Sequence, residues 1–186
     1  MPLPYSASEI MDDLRGVQQR VLDALLPASA EQFNRGDATA WSAGDYLKHL
    51  LISVKPVARI MSQPGHALIT SFGAADHPSR SYDQVEWDYQ ARLAEGARAE
   101  DFPNVLPQSY RFPEGVQDQQ AHLIEAWRDA NQRLIEAVGR WPEEELDRGQ
   151  LPHPALGMVT MREMLFFTVI HNRLHAGDIE RALGRG

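Results

Sequence analysis

The sequence predicts an all-α protein, a four-helix bundle with long crossover loops and one additional short helix. Apolar residues recur at intervals of three and four in four main segments, which is the period of a helix with one buried face. Three of these segments begin with Ser or Thr followed three residues later by an acidic residue, a pattern typical of helix N-caps. Strand-like alternation, hairpin turn signals and internal repeats are not evident. At 186 residues, we expect a single domain, residues 1–186.

Helix one is predicted over about residues 7 to 26. Ser6-Ala-Ser-Glu9 has the form of a capping box, in which the Ser oxygen and the Glu carboxylate bind exposed amides at a helix start. A single apolar stripe then continues until Pro27, and its members are Ile10, Leu14, Val17, Val21 and Leu25.

Helix two is predicted to begin at Ser42-Ala-Gly-Asp45, just after Trp41, and to end before Pro64. Pro56 has no backbone N–H, so we expect a bend or a local loss of hydrogen bonding at this point. The inner face of the helix is predicted to carry Tyr46, His49, Leu50, Ser53, Val54 and Val57.

The remaining sequence predicts three further helices and two long crossover loops, which are called the first and second crossings below. Residues 65–80 are rich in Gly, Ala, Ser, Pro and His and are expected to be irregular. The additional short helix follows at residues 82–96, and residues 102–115 form the second irregular crossing. Long helices are predicted over about residues 116–140 and 161–183. The four long helices together predict a bundle whose site is built from inward-facing side chains.

The composition excludes several classes of function. The 18 basic and 26 acidic residues give a net charge of -8 without a basic arm or patch, so nucleic acid is not an expected partner. Cysteine is absent, which excludes a disulfide framework, a thiolate metal site and a Cys nucleophile. The first residues do not resemble a signal peptide and no apolar run is long enough to span a bilayer, so we expect a cytoplasmic protein without membrane contact.

Histidines are the candidate metal-binding residues. His171 and His175 are four residues apart in a predicted helix, so both lie on one face, at a spacing that lets two imidazoles share a metal ion. Their face begins with apolar residues and is predicted to point inward, where imidazoles need polar partners or a metal. His49, on the inner face of helix two, is the candidate third ligand. Packed or solvated histidines without a metal remain the alternative for all three.

Two segments carry the motifs of a known family. The first is Trp41-Ser42-Ala-Gly-Asp45-Tyr-Leu-Lys-His49-Leu50. The second is Thr160-Met-Arg-Glu163-Met-Leu-Phe-Phe-Thr-Val-Ile-His171-Asn-Arg-Leu-His175-Ala-Gly177-Asp-Ile179. They resemble the DinB/YfiT-like metalloenzymes, four-helix bundles with a three-histidine metal site. The resemblance implies that His49, His171 and His175 are the metal ligands.

The resemblance also implies a type of chemistry. Three imidazoles leave coordination positions open, as in catalytic sites; zinc or nickel is the expected metal, and iron or manganese would also fit. Relatives that use low-molecular-weight thiols imply an S-transferase that acts on small electrophiles with such a thiol as co-substrate. The alternatives are a metal-dependent hydrolase of a small substrate and a non-catalytic metal-binding bundle in a stress response. The resemblance further implies a homodimer, and the sequence identifies no general acid or base.

Several residues near these motifs have secondary roles in the prediction. Asp45 and Asp178 could each accept an imidazole N–H, although solvated carboxylates are the simpler interpretation. Glu163 is expected to cap its own helix, and Tyr46 and Ser53 could contact a substrate. Trp41 and Trp127 are expected to pack in the core. His66, His77, His122 and His153 are expected in loops or at the surface, and His153 is the one expected to approach the site.

Overall fold

The computed structural model describes residues 5–37 and 39–185, apart from the side chain of Glu100. Its described part contains seven α-helices, which are α1 Ala7–Leu25, α2 Ala30–Phe33, α3 Ala43–Met61, α4 Gly65–Phe72, α5 Tyr82–Ala94, α6 Gln119–Val138 and α7 Met161–Ala182. Two short strands precede the last helix, and they are β1 Gln150–His153 and β2 Gly157–Thr160. Single 3-10 turns lie at residues 99–101, 103–105, 107–109 and 143–147.

The four long helices α1, α3, α6 and α7 form the predicted bundle. Helix α3 packs against α6 and α7, and α1 packs against the same two helices from the other side. The order around the bundle is therefore α1, α6, α3, α7. Its core contains large side chains with almost no exposed surface, among them Trp127, Phe166, Leu14 and Leu50. The prediction of an all-α bundle is confirmed, and the short helix α5 packs on the outside of α7.

Capping boxes form at the starts of α1, α3 and α7, as the sequence predicts. In each, a Ser or Thr side chain accepts from the backbone of the acidic residue three positions later, whose carboxylate returns to the cap. The residue pairs are Ser6 with Glu9, Ser42 with Asp45, and Thr160 with Glu163. Helix α3 continues through Pro56, so the proline removes one helical donor without ending the helix.

Two expectations about the segments between the long helices were wrong. Residues 65–72, expected to be irregular, form α4, which packs against β1 and has Leu68 buried. The segment before α7 is an antiparallel hairpin, in which Leu151 pairs with Val159 and His153 with Gly157. Its strands are only four residues long and contain Pro152, so alternation was too short to show in the sequence. Burial of Leu151 and Val159 against the bundle stabilises the hairpin.

The two crossings are attached to the bundle by polar contacts. In the first crossing, Arg80 donates hydrogen bonds from its backbone and its guanidinium to the buried carboxylate of Glu163 at the start of α7. In the second crossing, the 3-10 turns at residues 103–105 and 107–109 pack on α3. The first crossing is therefore fixed at the start of α7, and the second lies against α3. None of the described helices combines the length and apolar composition needed to cross a membrane.

Candidate metal centre

Three histidine rings converge between α3 and α7. His49 comes from α3, and His171 and His175 come from successive turns of α7. Their ring centroids lie 4.9 Å apart for His49 and His171, 4.9 Å for His49 and His175, and 4.6 Å for His171 and His175. One ligand nitrogen from each ring can be chosen so that all three lie within 4.8 Å of one another. The structure thus brings together the three histidines that the sequence singled out.

The orientation of His49 is determined by the second crossing. Its Nδ1–H donates to the carbonyl oxygen of Val105 at 2.7 Å, and its Nε2 lies 2.9 Å from Nε2 of His171. Because a carbonyl oxygen can only accept, the proton of the neutral ring is on Nδ1 and Nε2 carries a lone pair. A backbone carbonyl gives no signal in the sequence, so this partner was not predicted.

His175 is oriented by a carboxylate on its own helix. Its Nδ1–H donates to Oδ2 of Asp178 at 2.7 Å, which again leaves the lone pair of the neutral ring on Nε2. Burial raises the pKa of Asp178, but hydrogen bonds and charges from His175 and Arg181 outweigh this effect and lower the pKa. Asp178 is therefore an ionised acceptor, the usual partner of a metal-binding imidazole.

His171 is buried on the inner face of α7. Burial is the largest cause that holds the pKa of His171 well below its ordinary value. The neighbouring imidazoles of His175, His49 and His153 lower this pKa further. The ring is therefore neutral near pH 7, as metal binding requires. The neighbouring amide of Asn172 raises the pKa of His171 by a smaller amount. This amide is fully buried, and neither its nitrogen nor its oxygen makes a well-formed hydrogen bond with a described residue.

These observations show that the donor set fits a divalent transition metal. Two nitrogens that bind one zinc ion at about 2.1 Å lie roughly 3.4 Å apart in tetrahedral geometry. Nε2 of His49 lies 2.9 Å from Nε2 of His171, which is slightly closer than this value. All three ligand nitrogens lie within 4.8 Å of one another, so the value falls inside the range that the group spans. Partners outside the group set the protonation of two of the three rings, and burial keeps the third neutral.

A protein-family model matches most of the chain. The model of the DinB superfamily matches residues 13–179, which include about two thirds of α1, the whole of α3 and α6, and α7 as far as Ile179. The chain belongs to the DinB superfamily. All three histidines lie inside the matched range. A search of curated proteins and a search of solved structures gave no match.

A cavity of about 570 Å³ opens beside the histidines of this DinB-superfamily bundle. Its wall is mainly aromatic and aliphatic, and it includes Trp41, Tyr46, Tyr89, Phe102 and Phe167. Among the described residues that line it, only Arg98 and Asp178 have permanently charged side chains. Asp178 is engaged with His175, and Arg98 is exposed at the edge. The cavity can therefore hold a small molecule with mostly apolar surface next to the three imidazoles.

Other residues of the sequence prediction have mixed outcomes. Asp45 does not contact His49, because its carboxylate binds Ser42 and Lys48 instead. The expectation that Trp41 packs in the core was wrong: it is partly exposed, lines the cavity and has its ring centroid 5.3 Å from that of His49. Trp127 is fully buried, as expected.

The remaining polar candidates also have defined positions. Tyr46 and Ser53 line the cavity, and the hydroxyl of Ser53 donates to the carbonyl of His49. Away from the cavity, His66 is exposed on α4, His77 contacts Asp76 and Glu163, and His122 contacts Tyr110. His153 reaches the cavity wall, as the sequence suggested.

Proposed function

We propose that this protein is a metal-dependent enzyme in which His49, His171 and His175 hold one divalent ion and the adjacent cavity binds a small substrate. The observation that carries the proposal is the convergence of three buried or partly buried imidazoles on the wall of a cavity. Three protein ligands leave at least one coordination position open, which distinguishes catalytic from closed structural sites. Zinc and nickel are the preferred ions because imidazole suits both, and iron or manganese would also bind.

The proposed reaction is transfer of a low-molecular-weight thiol to a small electrophile. An ion at this site would lower the pKa of a coordinated thiol or water and so supply a nucleophile near neutral pH. In the transfer, the thiol sulfur forms a bond to the electrophilic carbon, and the thiol proton leaves with the displaced group. The chain has no cysteine, so the thiol must come from outside.

The residues of the chain have defined tasks in this proposal. Val105 and Asp178 hold His49 and His175 in the protonation state that binds an ion. With a substrate in the cavity, the aromatic wall, with Trp41 and Phe167 against the histidine rings, would leave less room for water near the site. Exclusion of water strengthens electrostatic interactions with a developing charge.

The proposal is tested with protein purified without a His tag. Its metal content is measured first, and metal-free protein is then reloaded with zinc or nickel. Consumption of cysteine and glutathione is followed with 1-chloro-2,4-dinitrobenzene as electrophile, and hydrolysis of 4-nitrophenyl acetate is followed in parallel. His175→Ala serves as the site variant and His66→Ala, an exposed histidine on α4, as the matched control.

The results separate the three functions. Metal-dependent thiol consumption that is lost in His175→Ala and kept in His66→Ala supports the transferase. Metal-dependent ester hydrolysis without thiol consumption favours the hydrolase instead. Tight binding of one ion per chain without turnover of any substrate contradicts an enzyme and favours a non-catalytic metal-binding bundle.

A further inference from the structure

A fourth imidazole reaches the cavity from outside the bundle. His153 is the last residue of β1, and its ring packs on Phe167 with a centroid separation of 4.1 Å. The ring of Phe167 in turn lies 5.2 Å from that of His171. The hairpin thus places a histidine in the same cavity wall as the metal-site histidines, with an aromatic ring between them.

The backbone of the hairpin turn determines which nitrogen of His153 carries the proton. Nδ1 accepts from the backbone N–H of Ala155 at 3.2 Å and from that of Leu156 at 3.1 Å. Backbone N–H groups can only donate, so Nδ1 must carry a lone pair and the proton of the ring lies on Nε2. Burial, together with the charge of Arg80, lowers the pKa of His153 to about 4, so the ring is neutral near pH 7.

The Nε2–H of His153 is a donor without an acceptor among the described residues. His153 lines the cavity, and its hydrogen bonds within the described chain all involve Nδ1. Nε2 of His153 is not one of the described side-chain atoms that are both fully buried and without a hydrogen-bond partner. Because Nε2 has no partner among the described residues, the atom must be accessible, and a molecule in the cavity or at its mouth can reach it. A ligand atom that accepts this hydrogen bond would satisfy the donor.

The charges around the cavity indicate which kind of acceptor fits. A carboxylate or phosphate beside His153 would need a cation at that position, but the proposed ion lies beyond the ring of Phe167 and the described lining otherwise offers only Arg98, whose guanidinium already donates to the carbonyls of Leu93 and Ala97. Desolvating an anion without such a partner is costly. An uncharged oxygen, such as that of a ketone, ester or epoxide, needs only one donor. The mainly apolar wall accommodates the rest of such a molecule.

We propose that His153 is a substrate-binding residue whose Nε2–H donates a hydrogen bond to an oxygen of a neutral, largely apolar substrate. The inference rests on the proposed function in that it takes this cavity to be the site of the reaction. The hydrogen bond orients the substrate relative to the three metal-site histidines. It also draws electron density toward the oxygen and so favours attack on the adjacent carbon.

Two substitutions separate the role of His153 in the turn from its role in the cavity. In His153→Asn, the side-chain oxygen takes the place of Nδ1 and accepts from the amides of Ala155 and Leu156, but the side chain is too short to replace Nε2. In His153→Gln, the side-chain NH₂ group takes the place of the Nε2–H donor, but no atom takes the place of Nδ1, which accepts from the turn amides. The Asn variant therefore keeps the turn and loses the cavity donor, whereas the Gln variant does the reverse.

The test measures binding to the full chain loaded with zinc, without requiring turnover. The probes are acetophenone, ethylbenzene and benzoate, which share an aromatic ring and differ in the neutral oxygen and the charge. Dissociation constants are obtained by NMR titration, and long-range ¹H–¹⁵N spectra of the imidazoles report the protonated nitrogen of His153. Thermal melts confirm that both variants are folded.

We expect a protonated Nε2 in His153 and about fivefold tighter binding of acetophenone than of ethylbenzene, the ratio that one ordinary hydrogen bond gives. Benzoate can bind the zinc through its carboxylate, so its affinity should be the same in the wild-type protein and in His153→Asn. The preference for acetophenone over ethylbenzene should disappear in His153→Asn and persist in His153→Gln. A proton on Nδ1, an unchanged preference in the Asn variant, or no binding of acetophenone at millimolar concentration would each overturn the inference.

The outcomes also separate this inference from the proposed function. Binding of acetophenone that depends on His153, in a protein that turns over no substrate, supports the inference and contradicts the enzyme. Metal-dependent turnover with a KM and a kcat that His153→Asn does not change supports the enzyme and overturns the inference.

Discussion

The carboxylate of Asp178 accepts a hydrogen bond of 2.7 Å from Nδ1 of His175, three residues earlier on α7. This pair resembles the arrangement at His49, where the carbonyl of Val105 accepts from Nδ1 at the same distance. The first partner is local in the sequence, whereas the second comes from a crossing 56 residues away. Together they direct the Nε2 side of both rings toward the proposed ion.

Asp178→Ala is expected to weaken zinc binding by about 10- to 100-fold, because His175 loses the acceptor that orients it and increases its basicity. Affinity is measured by competition with a chromophoric chelator. Asp129→Ala, which removes an exposed carboxylate on α6, is the matched control and should bind zinc normally. Equal affinity in the two variants would show that the hydrogen bond has no role in metal binding.

Removal of a proposed ligand should abolish stoichiometric metal binding while leaving the fold in place. We expect close to one ion per chain in the wild-type protein and a sharp drop in His49→Ala and His175→Ala, since two imidazoles bind an ion far less tightly than three. Metal analysis and circular dichroism measure both properties. His66→Ala should keep its ion, and retention of the ion in both ligand variants would exclude this site.

Arg80→Met is expected to destabilise the protein by about 2 to 4 kcal/mol, because it removes the guanidinium that pairs with the fully buried carboxylate of Glu163 and leaves only the longer contact from His77. Burial raises the pKa of Glu163, but hydrogen bonds from Arg80 and Thr160 lower it overall, so the group is ionised in the fold. Urea denaturation at pH 7 measures the free energy of unfolding. The exposed pair of Arg92 and Glu95 provides the control, and Arg92→Met should cost less than about 1 kcal/mol.

The low pKa of His153 makes stability depend on pH. The folded-state value of about 4 lies below the ordinary value of 6.5, so the unfolded chain binds the proton first as the pH falls. The contribution of the neutral His153 ring to the free energy of unfolding is therefore fully present above pH 6.5 and is lost progressively as the pH falls from 6.5 to about 4. At pH 5 the loss is about 1 to 2 kcal/mol, after allowance for the partial exposure of the ring.

Urea denaturation of metal-free protein at pH 7 and pH 5 tests this dependence. His153→Asn keeps the turn acceptor and has no titrating ring, so it should lose about 1 to 2 kcal/mol less than the wild-type protein over this interval. Burial is the main cause of the low pKa of His171 in both proteins, so most of the contribution of His171 cancels. Identical pH dependence in the two proteins would mean that His153 is protonated as readily in the fold as in the unfolded chain.

The long helices and their N-caps were predictable because their causes are local. The apolar stripe of α1 and the capping boxes at Ser6, Ser42 and Thr160 involve residues within one or two helical turns. The spacing of His171 and His175 determines that they share a helix face whatever lies around them. The inner-face position of His49 on helix two made it the candidate third member of the group, the family motifs implied the same residue, and the structure places it beside the other two.

The hairpin and α4 could not be predicted from the same rules. Residues 150–160 show no useful alternation, since Pro152 and Pro154 interrupt them, and the strands exist because Leu151 and Val159 pack on the bundle. Helix α4 is equally dependent on burial of Leu68. A segment of four to eight residues gains too little from local interactions to form alone, so its neighbours decide its structure.

The amino-acid order was sufficient to identify a helical bundle, its caps and a pair of histidines on one face, because these depend on contacts between residues three or four apart. Tertiary packing decided how His49 meets that pair, that Val105 orients it, and that Trp41 and His153 line the cavity beside it. Those contacts join residues far apart along the chain, and short-range periodicity carries no information about which distant backbone or ring will meet them.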